Sequence, residues 1–140
     1  MDDAALNAGV LRYTADPAAV AELAKDSDPE GRVNMPVLSL HAVNDPTAFV
    51  ELETSYRETL ERAGRGAMLV QTFSDESEHS YLSDPQYPAL FTALLAWIDR
   101  NEKPSPQSVA ALCKEYEAAY GDTCRLLPDY RSAPLTSRVP

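Results

Sequence analysis

No run in this 140-residue sequence approaches the roughly 18–20 apolar residues that a membrane-spanning helix needs. The opening "MDDAALNAGV" has neither a basic n-region nor an apolar h-region, so it does not read as a signal peptide. Positive charge is scarce, with 12 Lys and Arg against 22 Asp and Glu and a formal net charge of −10. Such a chain repels phosphate backbones and anionic lipid, which sets nucleic acid and membranes aside as partners. Only two cysteines occur, Cys113 and Cys124, with no CxxC between them, so a four-cysteine zinc site is excluded. No internal repeat or low-complexity tract is present.

What remains is the composition of a soluble globular protein, 44% hydrophobic and 24% charged. The length suits one domain, which would bury about 68–70% of its unfolded surface. Residues 1–30 read as a helical or irregular lead-in. In "DPAAVAELAKD", Asp16 and Pro17 form an N-cap and first helical residue, and Val20, Leu23 and Ala24 share one face. "SDPEG" is a turn.

The hydrophobic period then changes. "MPVLSLHAV" (35–43) is a short apolar run whose length suits a strand buried on both faces. "NDPT" ends it. In "AFVELETSYRETLERAG" (48–64), Phe49, Leu52, Tyr56, Leu60 and Ala63 recur as one helical face. Glu51, Glu53, Glu58 and Glu61 read as its solvated side. "MLVQTF" (68–73) is a second strand. "DPQYPALFTALLAWIDRNEKP" (84–104) reads as a helix capped by Asp84, with Leu90, Phe91, Leu94, Trp97 and Ile98 as a core stripe rather than a ligand platform. Two strands separated by a helix cannot form a hairpin. The expected fold class is therefore α/β, a β-α-β-α unit with a parallel sheet over residues 31–103. Residues 104–140 form a C-terminal helix and an extended Pro-rich tail. Ser105, Pro106 and Gly121 supply that helix's N-cap, first residue and C-cap.

In open parallel sheets, chemistry gathers beyond the carboxyl ends of the strands. Asp45 follows the first strand, and His79 lies in the loop "DESEHS" after the second. Parallel neighbours would open both loops at one edge. A carboxylate could then hold one imidazole tautomer and stabilise the imidazolium. Asp75 and Glu78 are alternative acids beside His79. Asp45 also reads as a turn residue before Pro46. His41, at the end of the first strand, reads as packing with a satisfied ring N–H, and nothing in the spacing of His41, Asp45 and His79 favours a metal.

At these residues a family resemblance enters. "PVLSLHAVNDPTAFVELETSYRETLERAG" is similar to the segment of α/β-hydrolase enzymes that carries the triad acid, and "LVQTFSDESEHSYLSDPQYPALFTALLAWI" resembles the segment that carries the triad histidine. The resemblance implies that Asp45 is the triad acid and His79 the base, without cofactor or metal. It implies a partial hydrolase-like sheet and a small-molecule ester as substrate of the complete enzyme. Two departures stand out. Ala42 occupies the position where the family usually has glycine, and no G-x-S-x-G elbow occurs in a chain with only five glycines. The expectation is the C-terminal portion of a serine hydrolase, inactive alone, whose nucleophile lies in a missing N-terminal hydrolase segment. The alternative is a non-catalytic module that self-associates through an exposed strand edge.

Cys113 lies about two turns before Gly121, and the chain beyond can fold back far enough for Cys124 to reach it. A disulfide would pin the tail and place a parent protein in a secreted or periplasmic compartment. Reduced thiols would point to the cytoplasm.

Overall fold

A computed structural model describes residues 2–138. Met1 of the expected lead-in and the last two residues of the expected tail, 139 and 140, lie outside them. The chain is mixed α/β. Its described residues form α1 (Asp3–Gly9), α2 (Pro17–Ser27), β1 (Val37–Ala42), α3 (Leu52–Arg62), β2 (Leu69–Ser74), α4 (Gln86–Arg100) and α5 (Pro106–Tyr120). β1 and β2 pair in parallel, from Val37 opposite Leu69 to Ala42 opposite Ser74. No helix among the described residues is long and apolar enough to cross a membrane.

Alternation along the strands sorts their side chains to two faces. Leu38 faces α4 and α5, where Ala89, Ala93, Val109 and Cys113 form the tightest cluster, joined by Leu126 of the tail. Ser39, His41, Gln71 and Phe73 belong to the other face. There Gln71 and Ser39 meet Glu53 of α3, and Phe73 packs edge-on against Tyr130 at 5.0 Å between ring centroids. The outer edge of β2 is covered by the tail. Ser74 bridges Leu126 in antiparallel fashion, and the Leu127 N–H donates to the Phe73 carbonyl. Among the described residues β1 pairs only with β2.

Several local expectations match. The Asp16 carboxylate accepts from the Ala18 and Ala19 amides, with Pro17 opening α2. Ser105 and Ser108 form a reciprocal capping box, Pro106 opens α5, and Gly121 ends it in the left-handed region. A Cys113–Cys124 disulfide is present, with its Cα atoms 5.8 Å apart.

Others are corrected. β1 is not buried on both faces; five of its six residues are only half-buried, whereas every residue of β2 is buried. Burial follows position in the sheet, and β2 is the strand with neighbours on both sides. The buried side of α3 consists of Thr54, Thr59 and Leu60, while Phe49 and Leu52 are exposed. The helix is rotated because the Thr54 hydroxyl reaches Ser132 of the tail, a partner 78 positions away. The Asp84 side chain does not cap α4, whose preceding residue is Pro85 with no side-chain cap. The α4 stripe is also split. Trp97 is buried with Gln86, Ala89 and Ala93, but Phe91 and Ile98 are exposed because nothing among the described residues covers that side of the helix. α1 and α2 bury no residue.

Gly31 takes a φ of +69°, and an added Cβ would sit 2.5 Å from the Thr59 carbonyl oxygen of α3. Gly121 has a similar φ of +66° with open space around it. Gly121→Ala should therefore cost only the left-handed penalty of about 1–2 kcal/mol. Gly31→Ala should cost clearly more, and urea unfolding of the two variants checks the order.

Candidate active site

The end of β1 and the end of β2 open side by side. The Val43 N–H donates to the Ser74 carbonyl at 2.9 Å, and the Asn44 N–H to the Glu76 carbonyl at 3.1 Å. These bonds hold the loop after each strand against the other. Asp45 sits at the tip of the first loop, and His79 reaches it from the second.

The Asp45 carboxylate is saturated on one side by backbone. Its Oδ1 accepts from the Thr47 N–H at 2.7 Å and the Ala48 N–H at 3.0 Å, the Asx-type turn expected before Pro46. Its Oδ2 lies 2.8 Å from His79 Nδ1. The turn role and the imidazole contact coexist because they use different oxygens. The Asp45 side chain is 5% exposed and the His79 side chain 54%. A carboxylate shielded from water thus orients an imidazole that faces it.

Burial works to raise the Asp45 pKa. The amides of Ala48 and Thr47 and the His79 ring outweigh it and lower the pKa from 3.8 to about 2. The folded state binds this proton more weakly than the unfolded chain, so the carboxylate stabilises the fold fully above pH 3.8 and loses that contribution as pH falls toward 2. Urea unfolding of the wild type and Asp45→Asn over this range should give a stability difference that shrinks with acid. A difference independent of pH would contradict it.

When Nδ1 donates to Asp45, the neutral His79 ring presents the Nε2 lone pair outward. That is the tautomer a general base requires. Beside it opens an apolar groove of about 360 Å³, whose walls include Leu38 and Leu40 of β1 and Leu90, Phe91 and Leu94 of α4. Leu90, Phe91 and Leu94 therefore line a groove rather than a closed core.

His41 has the satisfied ring expected of it. Its Nε2 lies 3.2 Å from the Ala48 carbonyl oxygen, and its Nδ1 lies 3.4 Å from Glu53 Oε1. It also stands 3.7 Å from Asp45 Oδ2. No group of three His, Cys, Asp or Glu residues among the described ones is arranged to hold a metal. The carboxylate bonded to His79 is that of Asp45, while Asp75 and Glu78 are exposed. No serine hydroxyl among the described residues hydrogen-bonds His79. Ser39 donates to Glu53, and Ser83 to the Thr123 carbonyl.

Three acidic residues have roles that sequence reasoning missed. Glu53, expected on the solvated side of α3, is turned inward, and its carboxylate accepts from Ser39 at 2.9 Å and from the Gln71 amide. Glu51 is likewise largely covered, and its ion pair with Arg138 lowers its pKa. Glu76, one of three carboxylates around His79, is the buried one, with a side chain 3% exposed. It accepts from the Ser83 N–H, the Gln86 side-chain amide and Arg125. No local pattern distinguishes it from Asp75 or Glu78.

No protein-family model matches the chain, and neither a curated protein nor a solved structure matches it significantly.

Proposed function

We propose that this chain supplies the acid and the histidine of a serine-type α/β hydrolase acting on a carboxylic ester, with an amide as the second choice of substrate. The observation that carries the reading is the 2.8 Å contact between His79 and Asp45, made beyond the carboxyl ends of two parallel strands. His79 Nε2 would take the proton of an attacking hydroxyl and later return it to the leaving alcohol. Asp45 would hold the tautomer and stabilise the imidazolium.

The nucleophile and the oxyanion donors would come from a segment other than these 140 residues, since no G-x-S-x-G occurs among them. The half-buried β1 supports this. Parallel sheets are normally covered on both faces, and the Leu38 and Leu40 side of β1 borders an open groove. The Cys113–Cys124 bond supports an oxidising compartment for the parent protein.

The test is co-expression of this chain with the polypeptide encoded directly upstream of it, scored for hydrolysis of a p-nitrophenyl ester. The expected result is an elbow in that polypeptide and activity in the assembled complex. Absence of activity in a correctly assembled complex, or full activity after His79→Ala, would count against the reading.

The edge of β1 that pairs with no strand among the described residues favours a second reading, a non-catalytic module that self-associates through that edge. A stable dimer at low concentration by size exclusion, without hydrolase activity in any assembly, would select it.

A further inference from the structure

We propose that Glu76 is the positioning residue of the His79 loop and that the Cys113–Cys124 disulfide holds it in place, so that the Asp45–His79 contact depends on the redox state of that bond. Its catalytic meaning rests on the reading above, whereas the contact itself is measured without any substrate.

His79 is half-exposed, and its described side-chain bond is the one to Asp45. Its position is therefore set by the loop rather than by packing around the ring. That loop, residues 75–84, is gripped at both ends by residues 122–125. At the start, the Asp75 N–H donates to the Arg125 carbonyl at 2.9 Å. At the end, the Ser83 hydroxyl donates to the Thr123 carbonyl and the Asp84 N–H to the Asp122 carboxylate at 3.3 Å.

Glu76 crosses the inside of the loop and ties these ends together. Its Oε1 accepts from the Ser83 N–H at 2.7 Å and from Arg125 Nη1 at 3.2 Å, and its Oε2 accepts from Gln86 Nε2 at 2.7 Å. Its carbonyl accepts from Asn44 beside Asp45. One buried residue thus fixes the loop of the base and the loop of the acid. Between the anchors, Tyr81 adopts a φ of +63° while almost fully exposed, a conformation its own side chain does nothing to hold.

The gripping segment has no regular secondary structure around Cys124. What fastens it to α5 is the disulfide to the fully buried Cys113, together with a bond from the Cys124 N–H to Glu117. Reduction by a dithiol breaks the S–S bond through a mixed disulfide. The second thiol of the reductant then closes on the first, leaving two protein thiols and one oxidised, cyclised reductant. Two electrons and two protons pass to the protein, and the segment loses its cross-link to Cys113, keeping the backbone link to the end of α5 and the Cys124–Glu117 hydrogen bond.

The experiment follows the Asp75, Ser83 and Asp84 amides by hydrogen exchange, and the His79 ring by 15N NMR, in the whole chain. The oxidised protein should show a bonded His79 Nδ1–H. Dithiothreitol treatment and Glu76→Ala should each speed exchange at the three amides at least tenfold and abolish the bonded Nδ1–H signal. Val70–Phe73 amides should remain protected, and Glu78→Ala should change nothing. Since Glu76→Ala strips several donors of their acceptor, Glu76→Gln and Arg125→Ala serve as milder variants with smaller shifts in the same direction. An unchanged His79 signal in the reduced chain and in Glu76→Gln would overturn the proposal. So would a loss that always accompanies equal loss of protection at Val70–Phe73. Failure of ester hydrolysis would leave these readouts, and this inference, untouched.

Discussion

In the proposed hydrolase complex, replacing His79 by alanine should lower kcat by about 10²–10⁴-fold, the range a positioned general base contributes. The loss should fall on kcat rather than KM, because the ring acts on a proton in flight and not on the bound ester. Asp45→Asn should also fall by on the order of 10³–10⁴. Asparagine can still meet the Thr47 and Ala48 amides with its carbonyl oxygen. Its NH₂ group, however, now faces His79 Nδ1, which reverses the tautomer and turns the Nε2 lone pair into a donor. The two variants together should lose little more than the worse single one, since they disable one unit. Steady-state and single-turnover kinetics on the complex check both the size and the non-additivity. A double variant that loses the product of the single losses would mean that the two residues act separately.

The second large effect concerns stability. Removing the disulfide, as Cys113→Ala/Cys124→Ala, should destabilise the chain by about 3 kcal/mol if loop entropy dominates. The sequence separation of 11 residues sets that figure. Cys113 is fully buried against Val109 and Ala89, so the alanine variant also loses some packing. Urea unfolding of oxidised, reduced and double-alanine proteins separates the contributions. The reduced wild type keeps both sulfurs and should lose the entropic part alone. A reduced chain as stable as the oxidised one would mean that residues 122–126 hold their place through hydrogen bonds without the covalent tie.

The parts of the fold written in local patterns were readable in advance. Asp16–Pro17 and Ser105–Pro106 start helices, and Gly121 stops one, because capping is decided within a few residues. The contact of Asp45 with His79 was also within reach. Two short strands separated by a helix imply parallel pairing, and parallel pairing brings the following loops to one edge. What escaped depends on distant partners. Thr54 is buried because Ser132 meets it, and Glu76 is buried because Gln86 and Arg125 meet it. Neither pairing leaves a periodic trace in the chain. Glu53 looked like one more surface carboxylate until Ser39 and Gln71 faced it across the sheet. The half-buried leucines of β1 escape for the opposite reason. An apolar run signals that a strand can be covered on both faces, and only its neighbours decide whether it is.

The tautomer of His79 is the most direct measurement. In 15N-labelled protein with the ring neutral, the shifts should report a proton on Nδ1 and a bare Nε2, with Asp45→Ala collapsing that preference. A ring protonated on Nε2 in the wild type, or a tautomer mixture indifferent to Asp45→Ala, would contradict the pairing of base with acid from which the proposed chemistry proceeds.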